Sequence, residues 1–125
     1  MKSVLVLFAD GSEELEAVTV VNILRRAGVS VTLAGLSAGA LRGSRGVMLM
    51  PDCTLDAALQ HDFDMIVLPG GQPGTNHLKA DARVLKLAQQ MAQQGNLNRS
   101  PSAEPEQDTE IVSQPRYPQV TFLRG

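Results

Sequence analysis

Among its 125 residues the chain has a single cysteine, Cys53. One thiol excludes an intrachain disulfide and any cysteine-cluster metal site, and it agrees with a reducing compartment. An excess of one charge is also missing: 8 basic residues stand against 9 acidic ones up to Gly95, and 3 against 4 beyond it. Neither part is built as a nucleic-acid or membrane-surface arm. Long apolar runs are absent as well. Met1-Lys2-Ser3 leads directly into a run of about six apolar residues, too short for a signal peptide or a spanning helix, so a cytoplasmic location is expected. His61 and His77 lack metal-ligand spacing and read as surface or packing histidines. No metal or other cofactor is expected.

What is present has the punctuation of a parallel α/β protein. Val4-Leu-Val-Leu-Phe8 is a continuous apolar run rich in strand formers, the pattern of a strand covered on both faces. Asp10 to Ser12 offer turn and N-cap chemistry, acidic Glu13, Glu14 and Glu16 suit the positive end of a helix, and Gly28 is a stop signal. A helix over about Glu13 to Ala27 is predicted, then a strand over 29–33, which together form a right-handed β-α-β unit. Residues 34–46 hold four glycines and two serines, and Val47-Met-Leu-Met50 ends at Pro51, which suggests a hairpin off the main sheet. Leu55 to Leu59 reads as a short helix and Met65-Ile-Val-Leu68 as the next buried strand. Val84, Leu87, Ala88 and Met91 share a helical face, so a helix is predicted from about Arg83 to Gln94, ending at Gly95.

Beyond Gly95 the pattern stops. A parallel sheet should turn back into an apolar strand within a few residues. Instead, residues 96–110 have Leu97 and Ala103 as their apolar members, and four of seven prolines fall between 101 and 118. Glu110-Ile-Val112 and Gln119-Val-Thr-Phe-Leu123 have some strand character but are isolated by Pro115 and Pro118. The expected organisation is an α/β part over 1–95 and an unrelated, mostly disordered tail over 96–125. The edge of the 65–68 strand is then expected to stand unpaired.

Glu16 is the first candidate for chemistry. At 100° per residue it lies in line with Val20, Ile23 and Ala27, so its carboxyl sits on an apolar face beside a strand end, where burial would let it hold a proton near neutrality. The alternative is a helix-dipole carboxylate like Glu13 and Glu14. Leu68-Pro-Gly-Gly-Gln-Pro-Gly74 follows a strand, and its Gly70 and Gly71 would let backbone N–H groups approach a ligand as an oxyanion hole or anion nest requires. A tight strand-to-helix turn accounts for them equally. The run is neither G-x-G-x-x-G nor a phosphate loop, which leaves dinucleotide and nucleotide binding unsupported. Arg26 and Arg45 are candidates for an anion site, or are solvated charges. Cys53, with no histidine near it in sequence, reads as an ordinary cysteine rather than a nucleophile.

Taken together, Ala9-Asp-Gly-Ser-Glu-Glu-Leu-Glu16, Leu24-Arg-Arg-Ala-Gly-Val29, Ser44-Arg-Gly-Val47 and Asp64-Met-Ile-Val-Leu-Pro-Gly-Gly71, in this order and spacing, resemble the ThiJ/PfpI superfamily, in the branch of the parkinsonism-associated protein deglycase. The resemblance covers about residues 2–95, roughly the first half of a typical member. It implies a flavodoxin-like parallel-sheet sandwich, a homodimer, and glyoxalase or deglycase chemistry on small aldehydes or their adducts in carbonyl and oxidative stress, with a redox-regulated chaperone role. It also implies that Glu16 is the protonated partner of a nucleophilic cysteine on a strand-to-helix elbow, with Gly70 and Gly71 facing that cysteine. The first helix and the 45–50 segment, with Arg26 and Arg45, would belong to the dimer surface or an anion contact.

The departure is as specific as the match. Asn96-Leu-Asn-Arg-Ser-Pro101 stands where the family has the elbow strand, and Cys53 cannot be carried onto the elbow. The expectation is a catalytically incomplete member with no nucleophile, its pattern lost through a changed reading frame or truncation. A non-catalytic interaction module, chaperone-like or dimerising through the first helix, is the second reading. A receiver domain with Asp10 as phosphoacceptor is disfavoured by the lack of an acidic pair.

Overall fold

The computed structural model describes residues 2–98, 111–113 and 121–124. β1 (Ser3–Phe8), α1 (Glu14–Arg26) and β2 (Ser30–Gly35) form the predicted β-α-β unit, with β1 and β2 parallel and Ser3 opposite Ser30 through Phe8 opposite Gly35. β3 (Leu41–Arg42) and β4 (Met48–Leu49) make the expected antiparallel hairpin off the main sheet. Then come β5 (Cys53–Thr54), α2 (Leu55–Ala58), β6 (Met65–Leu68), α3 (Gly74–Ala80), α4 (Ala82–Asn98), β7 (Ile111–Ser113) and β8 (Thr121–Arg124).

The main sheet has the order β5-β2-β1-β6-β8-β7. Its first four members are parallel, and the result is the flavodoxin-like α/β architecture. The period-2 alternation of β1 divides the core in two. Leu5, Leu7 and Ala9 face Leu55, Leu78, Val84 and Met91 of the α2–α4 layer, while Val4, Val6 and Phe8 face Ala17 and Val21 of α1. Both faces of β1 are therefore covered, which is why its sequence shows no polar alternation.

Three features differ from expectation. β5 was not predicted: Asp52 N–H donates to Leu33 O at 2.8 Å and Leu33 N–H donates to the Asp52 carboxylate at 2.9 Å, which delivers Cys53 and Thr54 alongside Ala34 and Gly35. Secondly, α4 runs through Gly95 to Asn98. One interior glycine weakens a helix by only about 1 kcal/mol, and the nearest proline is Pro101. Thirdly, β6 has a neighbour on its outer side, since β8 pairs with it antiparallel from Met65 opposite Arg124 to Leu68 opposite Thr121. The row of N–H and C=O groups along an uncovered strand edge is a template for such pairing. The expectation of a mostly disordered tail falls otherwise on residues 99–110, 114–120 and 125, which lie outside the described residues.

Candidate functional site

Two turns meet at the C-terminal ends of the adjacent strands β1 and β6, the crevice where open α/β sheets place their ligands. One is the acidic turn Asp10–Glu16, the other the glycine turn Pro69–Gly74. Glu13 N–H donates to Gly70 O at 2.7 Å, and Gly70 N–H donates to Glu16 Oε1 at 2.8 Å. The contact is close enough to require glycine. Gly11 has φ +88°, and a Cβ on it would collide with the Pro73 ring; Gly71 has φ +94°, and its Cβ would lie 2.7 Å from Glu13 N. The double glycine is thus both a tight turn and the surface against which Glu16 is held.

Glu16 stands on the shoulder of the buried stripe of α1 rather than at its centre. The buried positions are Glu14, Ala17 and Val21, and Ile23, expected in line with Glu16, is 57% exposed. Small Ala17 is what lets the helix approach the sheet, so the stripe rotates toward it. Glu16 is half-buried all the same. Burial raises its pKa above the ordinary carboxylate value, the nearby Glu13 charge adds to this, and the Gly70 N–H opposes it. With Oε1 anchored on Gly70, Oε2 is the oxygen free to carry the proton.

The helix cap also differs from expectation. Glu13 is the N-cap residue, accepting from Leu15 N–H at 3.3 Å, whereas the fully buried Ser12 turns its hydroxyl back to accept from Ala9 N–H at 3.1 Å. Glu14, read from sequence as a helix-dipole carboxylate, is only 7% exposed. Burial would raise its pKa, but hydrogen bonds from the backbone N–H groups of Glu14 itself, Val47 and Arg45 and from the Ser44 hydroxyl outweigh that and hold it low. Two acids one helical step apart from Leu15 are thus tuned in opposite directions. The only sequence trace of this was the spacing Glu-Glu-x-Glu, which does not say which acid turns inward.

Arg26 and Arg45 are exposed, and neither is a hydrogen-bond partner of Glu16. Arg26 lines a groove of about 600 Å³ between α1 and the hairpin, floored by Val18, Val21, Leu33 and Leu49; Arg45 is in the hairpin loop and is not among its lining residues. Leu15 and Val18 on α1 and Val47, Met48 and Met50 on the hairpin leave an apolar face in solvent, with Leu15 71% and Met50 69% exposed. Cys53 is half-buried on β5, separated from β1 by β2, and its thiol pKa is pushed up by burial and by the Asp52 charge. A raised pKa is the opposite of what activates a sulfur nucleophile. His61 and His77 are exposed, and among the described residues no three His, Cys, Asp or Glu side chains cluster as a metal site.

A model of the DJ-1/PfpI family matches residues 2–100. Protein dj-1beta of Drosophila melanogaster is 41% identical over 97 residues, which is 77% of this chain and 52% of that protein. The glutathione-independent glyoxalase DJR-1.2 of Caenorhabditis elegans is 31% identical over 97 residues, again 77% of this chain and 52% of the relative. Among solved structures, oxidized DJ-1 of Toxoplasma gondii superposes with a TM-score of 0.73 at 35% identity, covering 76% of this chain and 52% of the other. The chain therefore spans about half the length of the relatives it matches. With the acidic turn, the glycine turn and the parallel sheet all inside the matched residues, the chain belongs to the DJ-1/PfpI family.

Proposed function

We propose that residues 2–98 supply the acid half of a cysteine-dependent site for small aldehydes or their adducts, of the glyoxalase or deglycase type, and that this chain by itself is catalytically incomplete. The observation that carries the reading is the Glu16 carboxyl, half-buried with a raised pKa and anchored through Oε1 on Gly70 N–H. A protonated carboxyl held in this way keeps its proton on Oε2 and donates a hydrogen bond to a sulfur placed opposite, which favours the thiolate over the thiol. Cys53 does not fill that place, being on the far side of β2 with its pKa raised. The relative named as a glyoxalase gives the aldehyde class its support. A role in carbonyl and oxidative stress within the cytoplasm accords with the same reading. The tail expected over 96–125 is proposed to be unrelated to the family domain from residue 101, where the family match has ended.

A second reading is favoured by a separate observation: the exposed apolar face of α1 and the hairpin suits self-association, as a homodimer or as a chaperone-like surface, with Arg26 and Arg45 at its margins. The test of the catalytic reading replaces residues 96–125 by the second half of an intact relative. Methylglyoxal turnover should then appear, and it should fall by about tenfold or more in Glu16→Gln. Turnover that ignores Glu16 would refute its assignment.

A further inference from the structure

We infer that Glu14 is a positioning residue: it latches the β3–β4 hairpin to the first turn of α1 and so presets the α1–hairpin face that a second copy of this chain would meet. The choice of partner rests on the self-association reading above, while the latch rests on geometry alone. Glu14 Oε1 and Oε2 accept from Arg45 N–H at 3.1 and 3.2 Å, and Oε2 accepts from Val47 N–H at 3.0 Å; the Ser44 hydroxyl stands 3.4 Å from Oε1 but has its closer acceptor in Glu13 Oε2 at 2.9 Å. Gly43 leaves empty the place the carboxylate occupies, because a Cβ there would collide with it. A surface carboxylate attracted only by the helix dipole would need neither the empty position nor the burial.

The hairpin has little with which to hold itself. Each of its strands has two residues, and a lone two-stranded ribbon is marginal in water. Its loop closes through Gly43 N–H on Val47 O at 2.8 Å and Gly46 N–H on Gly43 O at 3.0 Å, and the N–H groups of Arg45 and Val47 turn inward to Glu14. The remaining ties run to the same acidic turn: Gly11 N–H to Arg42 O at 2.7 Å, Arg42 N–H to Asp10 Oδ1 at 2.9 Å, and Ser44 N–H to Ser12 O at 2.8 Å. Thus the hairpin hangs from residues 10–14. It carries Arg45 and the exposed Val47, Met48 and Met50, and Met50 shares the groove with Val18 of α1. Asp10, Gly11, Ser12 and the buried Leu41 hold the base of the hairpin, and Glu14 holds its loop, so where those side chains stand depends on Glu14.

The experiment is amide exchange with sedimentation on the full chain and its Glu14→Gln variant. Glutamine has one acceptor oxygen and would point an amide N–H at a backbone N–H. Exchange at Arg45 and Val47 should rise by about tenfold or more, the amides of Val4 to Phe8 should keep their protection, and self-association should weaken by about tenfold. Gly43→Ala, whose methyl takes the place of the Glu14 carboxylate, should show the same hairpin-selective pattern. Unchanged exchange at Arg45 and Val47 would overturn the latch. So would an equal loss of protection in β1, which would make Glu14 a determinant of the whole fold; if Glu14→Gln does not fold, the absence of a hairpin-selective rise in Gly43→Ala overturns it. A wild-type chain that stays monomeric removes the partner reading, and the hairpin exchange still decides the latch.

Discussion

Three neighbouring acids in one turn have three different tasks, and burial with hydrogen bonding assigns them. Glu13 caps α1, Glu14 is enclosed by the hairpin loop, and Glu16 rests on Gly70. Glu16→Gln keeps an acceptor oxygen for the Gly70 N–H, so its stability change should stay within about 1 kcal/mol in urea unfolding. A larger loss would reveal a further partner of the charged form. Titration separates the acids. Glu14 has a lowered folded pKa, so its stabilisation is present above the unfolded value of about 4.3 and is lost as pH falls through the folded one. Glu16 has a raised folded pKa, so its contribution is full below the unfolded value and is lost as pH rises through the folded one. Urea midpoints of Glu16→Gln against the parent should therefore converge in acid and diverge in the variant's favour toward neutrality. Gly71→Ala should lose about 1–3 kcal/mol from its positive φ alone, before the collision with Glu13 N is counted. Of these roles the sequence disclosed the motif and the raised pKa of Glu16. Glu14 stayed hidden because a partner brought in by a loop some thirty residues later leaves no periodic signal.

Elements with strong local signals were legible. β1, α1, β2 and β6 sit within two residues of their predicted limits, since an apolar run, a row of first-turn acids and Gly28 each act on their own neighbourhood. Those that depend on distant partners were not. β5 exists because Asp52 bonds to Leu33, and α4 passes Gly95 because nothing immediately beyond it forbids helix. The start of α4 shows the same dependence. Asp81 accepts from Arg83 N–H at 2.8 Å and Val84 N–H at 3.3 Å, while Arg83 reaches Asp56 at 3.0 Å and Leu36 O at 2.9 Å, joining α4 to α2 and the end of β2. Asp81→Ala should destabilise the chain by about 0.5–2 kcal/mol, as loss of a helix cap does, with a lower thermal midpoint as the readout. No change would mean that Arg83 holds the junction without its cap.

At the scale of the molecule, the α/β layers bring Glu16 and the glycine turn together at the ends of β1 and β6, and Cys53 lies beyond β2. That separation is legible only in three dimensions, although the family resemblance had led to the expectation that Cys53 lies outside the elbow segment. The whole account turns on whether this arrangement lacks its nucleophile. Covalent attack on an aldehyde needs a thiolate of lowered pKa within hydrogen-bond reach of its acid, and the single thiol here has its pKa raised by burial and by Asp52. The most direct measurement is methylglyoxal consumption by the unmodified chain beside its Cys53→Ser variant. The account predicts that both match buffer within error. Clear consumption by the unmodified chain that disappears in Cys53→Ser would contradict it.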